Sequence, residues 1–177
     1  PHFGCWELGG LHLSTLGATT IFYRPPRRAA LDALLRAARG RFGAQLAATD
    51  QRGIRCLLRA LRQGEMVGIL PDQDPRDAGG VFAPFFGVEA NTMTLLSSLA
   101  RKSGARIFTS ATERLAWGRG YVIRLQAIPA AVADRDPRTA ATTLNRAIER
   151  AVEIAPAQYQ WSYRRYRTRP DGAEPLY

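Results

Sequence analysis

The feature that most constrains the fold is the alternation of two hydrophobic periods along the chain. Short apolar runs such as "TTIFY" (19–23) and "MVGILP" (66–71) are typical of strands, because β-branched and aromatic residues bounded by turn residues suit a sheet. The segments 27–43 and 49–65 place apolar residues at helical spacing instead. This alternation predicts an α/β fold with a mixed, mainly parallel sheet flanked by helices.

The second half of the chain continues the pattern. "ARIFTSATER" and "YVIRLQAI" predict two strands joined by a turn at Trp117–Gly120. "MTLLSSLARKSG" predicts a helix capped by Asn91 or Thr92, and "DPRTAATTLNRAIERAVEIAP" predicts a long helix that Pro156 ends. No internal repeat and no linker rich in Gly or Ser interrupts the chain, so we expect one domain over residues 1–177.

An aromatic segment, "VFAPFFG", lies between these predicted elements. Phe82, Phe85 and Phe86 are strongly apolar, whereas Pro84 and Gly87 are expected to break any regular element. Apolar residues on a non-regular segment either line an apolar pocket or cover the core, and composition alone favours the core.

The charge balance indicates an anionic partner. The 177 residues carry 25 Lys+Arg against 15 Asp+Glu, a formal net charge of +10. Nearly all the cations are arginines, whose planar fork suits phosphate and carboxylate oxygens. Nucleic acid, an anionic membrane surface and a phosphorylated small molecule all remain open. The C-terminal "RRYRTRP", which begins at Arg164 and Arg165, fits single-stranded nucleic acid, a membrane interface or a solvated helix face.

The first residues pair a histidine with a carboxylate. His2 and Glu7 are five residues apart, which separates them on a helix and on a strand, so they meet only if the backbone bends, as Gly4 allows. A neutral imidazole can remove a proton from a hydroxyl when a carboxylate holds its tautomer. Alternatively, His2 is a surface residue and Glu7 a favourable charge in the first turn of a helix. No G-x-S-x-G sequence supports a serine nucleophile.

A second acidic segment, "PDQDP", follows a predicted strand. Loops at the carboxyl ends of strands commonly carry the sites of α/β folds. Asp72 and Asp74 form a D-x-D pair that can bind a metal, although no third ligand is evident. The alternative is a turn whose aspartates bind their own backbone.

Taken in order, these segments resemble the bacterial lipid A late acyltransferases, the lauroyl and myristoyl transferases of lipopolysaccharide synthesis. The resemblance rests on "HFGCWE", "YRPPRRAAL", "PDQD", "VFAPFFGVEANTMT" and "APAQYQWSYRRYRTRPDG", and it runs from residue 2 to residue 172. It implies a fold like that of the glycerolipid acyltransferases. It also implies transfer of a fatty acyl group from acyl carrier protein, or from acyl-CoA, to a hydroxyl of a lipid A precursor.

The resemblance also implies roles for single residues. His2 would deprotonate the acceptor hydroxyl and Glu7 would orient His2. Arg41, with Arg24 as second candidate, would stabilise the charge that develops on the thioester oxygen. Asp72 matches the functional aspartate of the family's PDQD loop. Phe82, Phe85 and Phe86 would border the acyl chain, and Arg164 and Arg165 would bind the substrate's phosphates.

We expect no cofactor, no metal and no nucleic-acid partner. We expect the enzyme at the cytoplasmic face of the inner membrane, with an anchor helix and the first elements of the domain upstream of Pro1. A related acceptor, such as phosphatidylinositol mannoside or an ornithine lipid, is the alternative within the superfamily. The non-enzyme alternative is a basic nucleic-acid-binding domain, whose affinity would fall steeply with salt.

Overall fold

The computed structural model describes residues 1–76 and 79–177. The described residues divide into two compact units, one formed by residues 7–69 and the other by residues 1–6 and 70–177. The predicted α/β class is confirmed, with a parallel sheet in the first unit and two antiparallel hairpins in the second. Within residues 1–76 and 79–177, no helix combines the length and the apolarity needed to cross a bilayer.

The unit of residues 7–69 is built on a three-stranded parallel sheet. Its elements are α1 (Trp6–Leu16), β1 (Thr19–Tyr23), α2 (Ala29–Gly40), β2 (Gln45–Ala48), α3 (Gln51–Arg62) and β3 (Met66–Gly68). Strand β1 is central and pairs in parallel with β2 and with β3. Its buried residues Thr19, Thr20 and Tyr23 are β-branched or aromatic, which suits the middle of a sheet.

Helix α3 lies within segment 49–65, where apolar residues occur at helical spacing. The side chain of Asp50 accepts a hydrogen bond from the backbone N–H of Gly53, 2.7 Å away, and so satisfies one free donor of the first turn. Gly53 must be glycine because a Cβ there would overlap the carbonyl of Ala48. This close approach lets Leu57 and Ala60 pack in the interior of the unit, at 0% and 3% exposure.

In its described residues, the unit of residues 1–6 and 70–177 contains two hairpins and two α-helices. Its elements are β4 (Gly80–Phe85), β5 (Val88–Met93), α4 (Leu95–Ser103), β6 (Phe108–Arg114), β7 (Tyr121–Ala127) and α5 (Pro137–Val152), with 3-10 turns at Ala116–Gly118, Ala130–Ala133 and Pro156–Gln158. β4 pairs with β5 and β6 with β7, both antiparallel. The second hairpin and its turn are as predicted.

The first hairpin corrects the prediction for "VFAPFFG". Residues 80–85 form a strand that includes Pro84. The strand tolerates proline because the sheet has only two strands, so that the missing N–H breaks fewer backbone hydrogen bonds than it would in a central strand. The turn that follows has Phe86 and Gly87 at φ 48° and 78°, so glycine ends the strand without preventing the hairpin. Phe82 and Phe85 are therefore strand residues.

The cap predicted for α4 is also wrong. Asn91 and Thr92 lie inside β5, opposite Phe82 and Val81, and both are buried. Thr94 is the residue that precedes the helix. Cap residues and polar strand residues look alike in a sequence, and here the pairing with β4 decides between them.

The core of this unit forms around α5. Asp136 caps the helix, since its carboxylate accepts hydrogen bonds from the backbone of Arg138 and Thr139. The buried core contains Phe3, Phe85, Ala90, Ala111, Val132, Leu144, Ile148, Ala151, Val152 and Tyr159. Phe3 and Tyr159 thereby fix two segments, at opposite ends of the sequence, that carry the site described next.

Candidate active site

The segment that carries His2 is held by backbone pairing on both sides. Gly4 N donates to Gln158 O at 2.9 Å, and Cys5 N donates to Thr112 O at 3.0 Å. Gly4 has φ +55°, and a Cβ there would overlap the carbonyl of Thr112. Glycine is therefore required by both conformation and space, and the bend predicted at this residue is present.

The carboxylate that contacts the His2 imidazole is Asp72. Nδ1 of His2 lies 2.9 Å from Oδ1 of Asp72, and the backbone N–H of His2 donates to Oδ2 at 2.8 Å. Asp72 is 2% exposed and the His2 side chain 14%. An Nδ1–H that donates to a carboxylate leaves the Nε2 lone pair free to accept a proton, which is the arrangement a general base requires.

Burial and hydrogen bonding act in opposite directions on Asp72. Burial alone would raise the pKa of its carboxyl group, but the hydrogen bonds from His2 and the positive charges beside the carboxylate outweigh burial and hold the pKa well below its usual range. The group is therefore a carboxylate at neutral pH. It can stabilise the imidazolium that forms when His2 takes a proton.

Three residues beside the His2–Asp72 pair are not among the predicted site residues: Trp6, Gln73 and Tyr159. Trp6 packs edge-on against the His2 ring, with 5.1 Å between ring centroids, and Nε2 of Gln73 lies 3.4 Å from Nε2 of His2. Burial, and then the charge of Asp72, raise the pKa of Tyr159, which keeps its phenol protonated. Trp6 and Gln73 stand inside the quoted motifs, and Tyr159 in "QYQW", so position within a motif was their one signal.

Glu7 occupies the first turn of α1, and its carboxylate is bound by Arg39 of α2. Nε of Arg39 donates to Oε2 at 3.0 Å, and a second guanidinium nitrogen donates to Oε1. The sequence predicted that Glu7 orients His2, whereas the carboxylate seen on Nδ1 is Asp72. Within its own unit, Glu7 orders an arginine near the end of α2.

The two arginines predicted to stabilise the thioester oxygen lie in the unit of residues 7–69. Arg41 directly follows α2, is exposed, and places its guanidinium 5.1 Å from the centre of the Phe42 ring. Arg24 directly follows β1 and is also exposed. Both guanidinium groups are accessible to an anionic ligand, and their catalytic role stays a prediction.

Asp74 binds the C-terminal segment around Thr168 to the loop that contains the PDQDP sequence. Its carboxylate accepts hydrogen bonds from the side chain and backbone of Thr168, from Asn91 Nδ2 at 2.9 Å and from the backbone of Arg76 at 2.8 Å. Asp74 is thus a structural residue. Across the described residues, no three His, Cys, Asp or Glu side chains converge as a metal site would require.

The three predicted aromatic substrate residues differ in their environments. Phe85 is 1% exposed and belongs to the core, which removes it from a surface groove. Phe82 is half-buried in β4. Phe86 is 40% exposed, stacks edge-on against Phe85 and lies 5.8 Å from the ring of Trp161. Phe86 is therefore the member of this set whose ring is open to a ligand.

The two C-terminal arginines also differ. Arg165 is 4% exposed; it donates to Asn91 O at 2.6 Å and to Thr92 Oγ1 at 3.0 Å, and its guanidinium lies over the Phe85 ring. Burial lowers the pKa of this group. These contacts make Arg165 a packing residue of β5, contrary to the predicted contact with substrate. Arg164 is exposed and stacks on Tyr177.

Comparison with known proteins gives a consistent result. Residues 1–168 match the family described as bacterial lipid A biosynthesis acyltransferase. The chain is 32% identical over 177 residues to the lipid A biosynthesis lauroyltransferase of Escherichia coli (strain K12), covering 99% of this chain and 57% of that protein. It is 36% identical over 182 residues to the lipid A biosynthesis palmitoleoyltransferase of the same organism, with the same coverage.

A third similar protein is a lipid A biosynthesis acyltransferase of Haemophilus influenzae, 35% identical over 178 residues and matched over 55% of its length. The chain thus spans somewhat more than half the length of these curated relatives. The family match covers nearly the whole chain and includes the segments that hold His2 and Asp72. On this basis the chain belongs to the bacterial lipid A biosynthesis acyltransferase family.

Proposed function

We propose that this chain carries the acyl-transfer site of an enzyme that acylates a lipid A precursor. The observation that supports the proposal most directly is the His2–Asp72 pair, with Nδ1 held at 2.9 Å by a buried carboxylate. Family membership supports a lipid A precursor as the acceptor. The hydroxyl of an acylated, phosphorylated disaccharide as the group acylated is part of the proposal. The names of relatives supply the group transferred, a fatty acyl chain.

In the proposed reaction, Nε2 of His2 removes the proton from the acceptor hydroxyl. The hydroxyl oxygen then attacks the thioester carbon of acyl carrier protein, or of acyl-CoA, and a new C–O ester bond forms. The C–S bond breaks, and the leaving thiolate takes the proton from the imidazolium. Asp72 keeps the imidazole in the productive tautomer and stabilises its charged form between these two steps.

The attack places negative charge on the thioester oxygen, which a cation can stabilise. Arg41 is our first candidate and Arg24 our second, because both are exposed guanidinium groups, and Arg24 also lies in the YRPPRRAAL motif of the resemblance. Glu7 would contribute to catalysis indirectly. Its carboxylate binds the guanidinium of Arg39, which stands two residues before Arg41 in the sequence. We further propose that the enzyme works at the cytoplasmic face of the inner membrane, where its lipid acceptor resides.

The chain contains a matched pair of histidines that tests the proposal. His2→Ala removes the base and should lower kcat by roughly 10²- to 10⁴-fold, the usual contribution of general acid–base catalysis. His12→Ala removes an exposed histidine of α1 and should leave kcat unchanged. The measurement is transfer of a fatty acyl group from acyl carrier protein to a detergent-solubilised lipid A precursor, followed by mass spectrometry of the lipid.

Two outcomes would refute the proposal. One is equal turnover by the wild type, His2→Ala and His12→Ala. The other is a wild-type protein that acylates phosphatidylinositol mannoside or an ornithine lipid and leaves the lipid A precursor unmodified. Circular dichroism of each variant checks that the fold is retained.

A further inference from the structure

The turn of the β6–β7 hairpin exposes a tryptophan almost completely. Trp117 is 95% exposed, more than any other large apolar side chain in the described residues. The turn has a defined shape, because Leu115 N donates to Gly120 O at 2.9 Å and Trp117 itself adopts φ +60°. Exposing an indole to water is unfavourable unless the ring has a partner.

Two arginines, Arg114 and Arg119, flank this tryptophan in the sequence of the hairpin turn. Arg114 and Arg119 are both exposed, and neither is among the ion pairs of the described residues. Arg124 pairs with Glu113 at 2.9 Å, and Glu113 is the single acidic residue in the sequence from 108 to 127. The end of the hairpin therefore combines a solvated indole with two guanidinium groups that lack a protein counter-charge.

The same residues form one wall of an open groove of about 810 Å³. The hairpin contributes residues 113–119, and the other wall contains Gly4, Ala157 and Gln158. Gly4 stands two residues after His2 in the segment that the site depends on. A surface that binds the hairpin end would thus also lie next to the His2 segment.

We propose that this hairpin end, defined as residues 114–121, docks the chain onto an anionic lipid leaflet. Trp117 enters the headgroup layer, where an amphipathic aromatic ring is most stable, and Arg114 and Arg119 bind lipid phosphates. Each arginine near an anionic leaflet strengthens binding about five-fold. The proposal rests on the proposed function only in that docking would bring the site to a lipid acceptor.

The test measures co-sedimentation of the 177-residue chain with phosphatidylcholine vesicles that contain or lack phosphatidylglycerol. The wild type should bind the phosphatidylglycerol vesicles, and added salt should weaken binding because it screens the arginines. Trp117→Asn removes the indole and tolerates the left-handed backbone; it should reduce partitioning roughly ten-fold. Leu125→Gln removes a 54% exposed apolar side chain from the middle of β7 and should change partitioning little.

A second matched pair tests the charge. Arg119→Gln and Arg135→Gln remove one exposed arginine each, but only the first lies at the hairpin end, so only the first should weaken vesicle binding, by about five-fold. Tryptophan emission of the wild type should also shift to the blue on binding, and the shift should be smaller in Trp117→Asn. Equal partitioning of Trp117→Asn and wild type would overturn the proposal.

A second outcome would also overturn the proposal. If Trp117→Asn bound vesicles as well as the wild type does but lost binding to purified acidic acyl carrier protein, the partner of the hairpin end would be a protein. Vesicle binding is measured without an acyl donor or acceptor. A wild type that docks through the hairpin end and transfers no acyl group would therefore refute the proposed function and leave the docking inference standing.

Discussion

Two carboxylates compete for the role of orienting His2, and they occupy different surroundings. Asp72 is buried and contacts Nδ1, whereas Glu7 is 45% exposed and binds Arg39. A buried carboxylate with a lowered pKa stabilises an adjacent imidazolium more strongly than a solvated one does, because less water screens its charge. Asp72 is therefore the stronger candidate on physical grounds.

Asp72→Asn should lower kcat by roughly 10²- to 10⁴-fold and move the acidic limb of the pH–rate profile to lower pH. The reason is that the imidazolium loses its negatively charged partner. Glu7→Gln should lower kcat without moving that limb, since it disturbs Arg39 instead. The measurement is kcat across pH for both variants; a limb moved by Glu7→Gln alone would restore Glu7 as the orienting group.

At the scale of elements, Gly4 sets the path of the His2 segment. Gly4→Ala should cost about 1–2 kcal/mol for the left-handed backbone alone and more for displacement of Thr112, and it should also lower kcat. Gly104→Ala is the matched control. Gly104 has φ +73° at the end of α4 with open space around it, so the substitution should lose only the stability associated with the left-handed backbone.

Chemical denaturation of both glycine variants measures the difference. We expect Gly4→Ala to be the less stable variant and the one that loses turnover. Equal losses of stability, with turnover retained by Gly4→Ala, would mean that the contact between residues 4 and 112 does not position His2.

At the scale of the whole molecule, contacts between distant parts of the sequence assemble the unit of residues 1–6 and 70–177. His2 meets Asp72, Gly4 meets Gln158, and Asp74 meets Thr168. The stability of this unit should therefore depend on the ionisation of its buried aspartates. Asp74 is the one to test, because it makes no contact with the reacting groups.

Burial alone would raise the pKa of Asp74, but the hydrogen bonds from Thr168, Arg76 and Asn91 lower it overall. The folded state then binds the proton less readily than the unfolded chain, whose carboxyl pKa is about 3.9. Its stabilisation is present above that pH and is lost as the pH falls toward the lowered folded pKa. Asp74→Asn should thus lose stability near pH 7 and show a flatter decline in acid.

Urea unfolding of the wild type and Asp74→Asn at about pH 7 and in acid checks this dependence. Losing a charged, buried hydrogen-bond acceptor should cost about 1–3 kcal/mol near neutrality. An identical pH dependence of the two proteins would show that the unfolded chain and the folded unit hold this proton equally.

By itself, the sequence determined the class of fold and most helices and strands, and it singled out His2 as a candidate base, which stays a prediction. A hydrophobic period is a property of each segment by itself, so the information for each helix and strand lies within that segment. The order of the motifs also carried the family resemblance, which the family match confirmed.

Only the tertiary structure decided which groups meet. Asp72 reaches His2 across 70 residues, β5 buries Arg165, and pairing with β4 makes strand residues of two predicted cap residues, Asn91 and Thr92. The physical reason is that side-chain contacts over such separations follow from how the core packs. A local pattern fixes backbone preference, while a carboxylate's partner and pKa depend on what folding brings beside it.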